Sequence, residues 1–228
     1  YVLELSSFQL DGMYRFRAHV GVLMNITPDH LDRYDHCFQN YADSKMRITQ
    51  NMTSRDWFVY SGDDEVIWNE LPKYDLRMRQ LPFAAKNAVA SGAGDAFLCD
   101  GKFTATAGKA SVEIDTAKLQ IKGLHNAYNA MAAALAALAA GVSPDVVRQS
   151  LYGFEPVEHR LEPVAEKGGV LWINDSKATN VDSVYYALES MTRPVVWIAG
   201  GTDKGNDYAP LKEFARHKVH TLVCMGLD

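Results

Sequence analysis

The sequence predicts an α/β fold: a largely parallel sheet with a small antiparallel β region, followed by the first half of a second, doubly wound domain. Three observations lead there. Short apolar runs rich in β-branched residues alternate with longer helical patterns, as in βα units. Residues 76–121 break instead into short alternating segments punctuated by glycines. Beyond a turn at 154–160, flanked by two prolines, the strand and helix alternation starts again.

Taken in order, Tyr1-Val2-Leu3-Glu4-Leu5 reads as the middle of a buried strand and 19–24 as a second strand. Residues 37–52 place Phe38, Tyr41, Ala42, Met46 and Ile48 at the spacing of an amphipathic helix of about four turns. Residues 56–60 read as the next strand. The 76–121 stretch, with Gly92, Gly94, Gly101 and Gly108 as punctuation, predicts the antiparallel region and holds no chemical motif. A helix over 125–140 is apolar nearly all round and so buried, and Gly141 stands where helices commonly end. Ser143-Pro144-Asp145 opens another helix.

A domain boundary falls near Val157. Past it, 161–164 and 170–173 read as a hairpin joined across Gly168-Gly169. Helix 181–191, strand 194–199, helix 208–217 and strand 219–225 follow, half of a doubly wound domain. A chain that starts inside a strand and stops directly after another is expected to be an excision from a chain about twice as long.

With 228 residues, 47% of them apolar and 22% charged, the composition is globular, allows one or two domains and excludes disordered or low-complexity architectures. The longest apolar stretch, 131–142, falls well short of the ~20 residues that cross a bilayer. A net charge of −5 supplies no broad basic surface for nucleic acid. Cys37, Cys99 and Cys224 form no Cys-x-x-Cys pair, so neither a thiolate zinc site nor a disulfide framework is expected, and a reducing cytoplasm fits.

Local clusters must therefore carry the chemistry. Glu4, at the end of an apolar run, stands where nucleotide-hydrolysing folds place a magnesium-directed carboxylate, or is a salt-bridge partner. The loop 25–34 packs Asp29, His30, Asp32 and Arg33 together, a set that can ligate a metal or cap a helix through Asp29. Tyr41 and Lys45 lie one helical turn apart, and a lysine so placed is ordinarily a solvated charge. Asn126 and Asn129 share a face of the first helical turn, where amides complement adenine or cap the helix. Arg160 and the run Asn174-Asp175-Ser176-Lys177-Ala178-Thr179-Asn180 offer cations near a helix N-terminus, favouring a phosphate or carboxylate site over a mere cap by Ser176, Thr179 or Asn180. Gly200-Gly201-Thr202-Asp203-Lys204-Gly205 is either an anion loop or a plain turn.

In this order the segments resemble the Mur ligases, the ATP-dependent amide-forming enzymes of peptidoglycan precursor synthesis. Glu4-Leu5-Ser6-Ser7-Phe8-Gln9, Asp29-His30-Leu31-Asp32-Arg33-Tyr34 and Asp175-Ser176-Lys177-Ala178-Thr179-Asn180 look like the branch of that family that adds D-glutamate. The resemblance implies a central ATP-binding domain over 1–157, truncated at its N-terminus. It also implies a Rossmann-like C-terminal domain on the amino-acid side over 158–228, truncated at its C-terminus. Lys45 matches a carbamylated lysine, a CO₂ adduct, and with Glu4 and His30 it forms the implied catalytic and metal set for Mg²⁺, with Mn²⁺ tolerated. Asn126 and Asn129 match adenine-side residues; Arg160, Asp175 and Lys177 match groups that hold ribose and phosphates; Thr179 and Lys204 match part of a D-glutamate pocket. The implied substrates are ATP, D-glutamate and UDP-N-acetylmuramoyl-L-alanine, handled through an acyl phosphate by a cytoplasmic enzyme that is monomeric at full length and inactive while its domains are open.

One departure stands out. The family's Gly-x-x-Gly-Lys-Ser/Thr phosphate loop is nowhere in the sequence, and 200–205 lacks its spacing and its hydroxyl. The domain that binds the uridine diphosphate end is likewise not expected here, so this chain alone is predicted not to ligate. Two alternatives compete: a related ligase that lengthens folate glutamate tails, and a non-catalytic nucleotide-binding module. The set Glu4, His30 and Lys45 argues against the second, because binding alone needs no metal and carbamate arrangement.

Overall fold

Side-chain alternation along β2 (Trp57–Ser61) organises the first part of the computed structural model, which describes residues 1–85, 95–155, 158–201 and 207–226. Val59 points into one apolar cluster, while Phe58 and Tyr60 point into another, the two-residue period of a strand buried on both faces. Among the described residues, β1 (Val20–Leu23), β2, β3 (Arg79–Ala84) and β4 (Ala96–Cys99) pair parallel in that order. β5 (Lys102–Ala107) and β6 (Ala110–Asp115) then turn back antiparallel and complete a six-stranded sheet. The antiparallel region read over 76–121 is thus confined to its second half. β3 belongs to the parallel ladder, and both kinds of pairing share one sheet. Gly92 and Gly94 lie outside the described residues.

One face is covered by α4 (Leu124–Ala139), whose Ala130, Met131, Ala134, Leu135 and Leu138 are buried against Leu81, Phe83, Phe103 and Ile114. Small alanines let the helix approach closely, and α5 (Pro144–Tyr152) follows with Pro144 in its first turn. The other face is covered by α2 (Phe38–Met46), through Tyr41, Ala42 and Met46 against Leu23, Phe58 and Tyr60. The four-turn helix expected over 37–52 is α2 followed by a 3₁₀ turn, Arg47–Thr49.

Tyr1-Val2-Leu3-Glu4-Leu5 is not a strand. Tyr1, Val2 and Leu3 are exposed, and β1 ends the sheet on that side without pairing to them. Apolar composition alone does not make a strand, because each unpaired backbone group needs a ladder partner or water. The ordered structure begins with α1 (Ser7–Asp11), opened by a capping box in which Ser6 accepts from Gln9 N–H and Gln9 Oε1 accepts from Ser6 N–H.

The chain divides into two units, Tyr1–Phe154 and Glu155–Asp228; Val157 itself lies outside the described residues. In the second unit β7 (Glu162–Lys167) and β8 (Val170–Asn174) form the hairpin, with Gly168 and Gly169 both at positive φ as its tight turn requires. β9 (Val195–Gly200) and β10 (Val219–Met225) pair parallel. The helices α6 (Val181–Ser190) and α7 (Lys212–His217) meet through Tyr185 and Phe214, whose rings pack edge to face at 4.8 Å. No described helix is long and apolar enough to cross a membrane.

Candidate active site

The carboxyl ends of β1 and β2 lead into loops whose acids face α2. Lys45, in the last turn of α2, is half-buried with its Nζ 5.4 Å from the centre of the Tyr41 ring. Burial holds its ammonium below the usual lysine value, while Asp29, from the loop after β1, and Asp64, from the loop after β2, oppose that shift. Tyr41 is affected by the same surroundings: burial, then Asp29 and Tyr34, push its hydroxyl up to about 12. The two residues that share a helical turn in sequence therefore share burial and the charge of Asp29.

The 25–34 loop is bonded near its start and again at its middle. Asp29 Oδ1 accepts the His30 N–H at 2.9 Å, and Asp64 Oδ2 accepts the Ile26 N–H at 3.1 Å. His30 takes a left-handed backbone, φ 52°, and leads into a 3₁₀ turn, Leu31–Tyr34. Asp29 therefore caps its neighbour within the loop rather than an α-helix. The exposed His30 ring packs edge to face on Phe8 of α1 at 6.0 Å, and Arg33 lies over the same Phe8 ring at 4.6 Å. α1 is itself fixed to α2, since Ser44 Oγ donates to the Ser7 carbonyl at 2.7 Å and Arg47 Nε to that of Leu10 at 3.0 Å. Glu4 is exposed ahead of α1, and no hydrogen bond or ion pair among the described residues joins it to His30 or Lys45. Among the described residues no group of three His, Cys, Asp or Glu side chains is placed to hold a metal ion.

At the start of α4 the helix is capped by Gly123, at φ 96°, and not by Asn126. Asn126 Nδ2 instead donates back to the Lys122 carbonyl at 2.8 Å, and Asn129 Nδ2 donates to Asn126 Oδ1 at 3.4 Å. The two amides are thus adjacent, with Asn129 exposed.

In the second unit the structure brings the segment around Arg160 against the turn that carries Asp175 and Lys177. Asp175 Oδ1 accepts the Leu161 N–H at 3.0 Å, and Lys177 N–H donates to the His159 carbonyl at 3.2 Å, lacing 159–161 to the turn after β8. Asn174 Nδ2 meets His159 Nδ1 at 2.7 Å. The cap of α6 is Asn180, which accepts from Ser183 N–H at 2.8 Å. Ser176 and Thr179 are therefore not the cap, and Arg160, Lys177 and Thr179 are all exposed around this turn. Lys204 lies outside the described residues.

Asp63, Asp64 and Tyr128 were not singled out from the sequence. The signal was present for the acids: they follow the strand 56–60 directly, the same placement that drew attention to Glu4.

Residues 1–137 match the Mur ligase middle domain, and residues 159–228 match the Mur ligase, glutamate ligase domain. The chain belongs to the Mur ligase family. Among curated relatives of this Mur ligase chain, the UDP-N-acetylmuramoylalanine–D-glutamate ligase of Bacteroides fragilis is 50% identical over 227 residues, covering 100% of the chain and 50% of the relative. The chain spans about half the length of the curated relatives it matches. Among solved structures, MurF of Acinetobacter baumannii superposes with a TM-score of 0.67 at 20% identity, over 92% of this chain and 47% of that one. MurF of Thermotoga maritima, solved in complex with ADP, superposes with a TM-score of 0.61 at 17% identity, over 93% and 53%. These last two likenesses confirm the Mur ligase fold.

Proposed function

We propose that the chain serves an ATP-dependent ligase that joins D-glutamate to UDP-N-acetylmuramoyl-L-alanine in peptidoglycan precursor synthesis. The observation that carries this reading is the 50% identity to a D-glutamate ligase along the whole chain. The terminal carboxylate of the acceptor attacks the γ-phosphorus of ATP, forming an acyl phosphate as ADP leaves. The D-glutamate amine then adds to the acyl carbon, and the resulting tetrahedral intermediate expels phosphate and gives up a proton to form the amide.

The residues of the chain support these roles chemically. A lysine amine held below its usual pKa is more readily neutral than an ordinary lysine, and the neutral amine is the form that attacks CO₂; the N–C bond forms, a proton leaves, and the side chain becomes a carbamate anion. Lys45 meets that condition by burial. Among the described residues no group of three or more His, Cys, Asp or Glu side chains is placed to hold a metal by itself; in this reading a carbamate on Lys45 would add two oxygens, and Lys45, His30 and Glu4 would then be the holders of Mg²⁺, with Mn²⁺ tolerated. When bound, such a metal neutralises phosphate charge. Asn126 and Asn129 present adjacent amides to adenine, Arg160, Asp175 and Lys177 serve the ribose and phosphates, and Thr179 and Lys204 serve D-glutamate.

We place the enzyme in the cytoplasm as a monomer, and this 228-residue sequence, which lacks the phosphate loop motif, is not expected to turn over alone. The test is ADP release from ATP and UDP-N-acetylmuramoyl-L-alanine by the natural protein that carries this sequence. D-Glutamate should stimulate it and L-glutamate should not; equal stimulation by both would refute the substrate assignment.

A further inference from the structure

β2 is followed within three residues by two adjacent carboxylates whose hydrogen bonds run to opposite sides. Asp63 Oδ2 accepts the Ala85 N–H, just past β3, at 2.6 Å and the Tyr128 hydroxyl of α4 at 2.6 Å. Asp64 Oδ1 accepts the Ile67 N–H at 2.8 Å and so caps α3 (Glu65–Glu70), while its Oδ2 accepts the Ile26 N–H at 3.1 Å.

One bond of each carboxylate reaches an element that carries a candidate site residue. Tyr128 stands between Asn126 and Asn129 on α4, and its ring packs on Phe83 at 6.1 Å. The rest of the buried face of α4 is mostly alanine and leucine. Such a surface sets how close the helix lies but only weakly sets its rotation and its position along its axis. A short bond to a carboxylate is directional and fixes both. On the other side Ile26 is almost fully buried, and the loop beyond it carries Asp29 and His30. The Asp64 bond anchors that loop where it leaves the core.

We propose that Asp63 and Asp64 are paired positioning residues of this site: Asp63, through Tyr128, sets the amides Asn126 and Asn129, and Asp64, through Ile26, sets the loop bearing Asp29 and His30. The proposal rests on the reading above for what those amides and that loop do, and adds residues that reading does not use. It makes a sharp distinction between two like substitutions. The Ala85 and Tyr128 bonds of Asp63 run to the same oxygen, so Asp63→Asn keeps these two through its remaining carbonyl. Asp64 uses both oxygens, so Asp64→Asn keeps the helix cap and turns an amide donor toward the Ile26 N–H.

The experiment uses the natural protein that carries this sequence and combines steady-state kinetics of D-glutamate-dependent ADP release with amide hydrogen exchange. Tyr128→Phe should raise the KM for ATP about tenfold, with kcat and the KM for D-glutamate unchanged, and should speed exchange within 124–130. Asp63→Asn, which keeps the Tyr128 bond, should leave exchange within 124–130 at the parent rate. Asp64→Asn should lower kcat about tenfold at constant KM for ATP and speed exchange within 24–30. Unchanged exchange in those segments, or a KM for ATP unmoved by Tyr128→Phe, would overturn the proposal. If the parent protein shows no D-glutamate-dependent turnover, the functional reading fails separately, and the exchange pattern alone then decides the positioning role.

Discussion

Lys45 and Asp56 show how burial acts on an amine and on a carboxylate. For Lys45 burial prevails over the two acids and favours the neutral amine. On the proposed carbamylation, Lys45→Ala should cost ligation at least about 100-fold in kcat, with partial rescue by formate or acetate, whose carboxylate would stand in for the proposed carbamate. Lys45→Arg should be equally impaired, since a guanidinium does not take up CO₂ at neutral pH; full activity in either variant would remove the carbamate. Asp56 is 1% exposed, and burial pushes its carboxyl up, but Thr53 N–H at 2.6 Å, Thr53 Oγ1 at 2.9 Å and Arg17 at 3.4 Å hold it below the usual value. A lowered folded pKa contributes stability that is complete above the unfolded value of 3.8 and is lost as pH falls through the folded value. Asp56→Asn should lower the melting temperature at pH 7, and the difference should shrink below pH 3.8; a gap independent of pH would contradict this. Neither residue was legible on its own. On an isolated helix Lys45 is a solvated charge, and only the loops after β1 and β2 give it acids for neighbours.

At the scale of elements, the region ahead of β1 is where sequence and structure part. An apolar run at 1–5 suggests a strand, yet a strand exists only beside another. The capping box of Ser6 and Gln9, which the expected strand at 1–5 left unread, opens α1 instead. Ser6→Ala should cost about 1 kcal/mol and lower the melting temperature by about 2–4 °C, read by thermal denaturation. Gly123 was legible only as a helix boundary. Its φ of 96° and a Cβ that would lie 3.1 Å from the His125 ring make Gly123→Ala both strained and crowded. That substitution should cost about 1–3 kcal/mol and disturb Asn126 and Asn129 before the rest of α4. By contrast α4, α5, the 168–169 hairpin and the β9 and β10 strands were readable throughout, because period, caps and turn glycines all pointed the same way.

At the scale of the whole molecule, periodicity identifies strands but not their neighbours. The sequence could not tell that β3 joins the parallel ladder, because pairing direction depends on contacts far along the chain. The site was legible to the extent that it is local. The turn 174–180 carried its own signature, whereas the bonds of Asp63 to α4 and of Asp64 to the β1 loop appear only once the sheet has formed. The central claim is that this Mur ligase sequence works on D-glutamate. It is tested most directly by measuring ADP released from ATP and UDP-N-acetylmuramoyl-L-alanine by the natural protein carrying it, with each candidate amino acid in turn. Release that requires D-glutamate is the predicted result; release that is indifferent to D-glutamate, or that requires another amino acid instead, would contradict it.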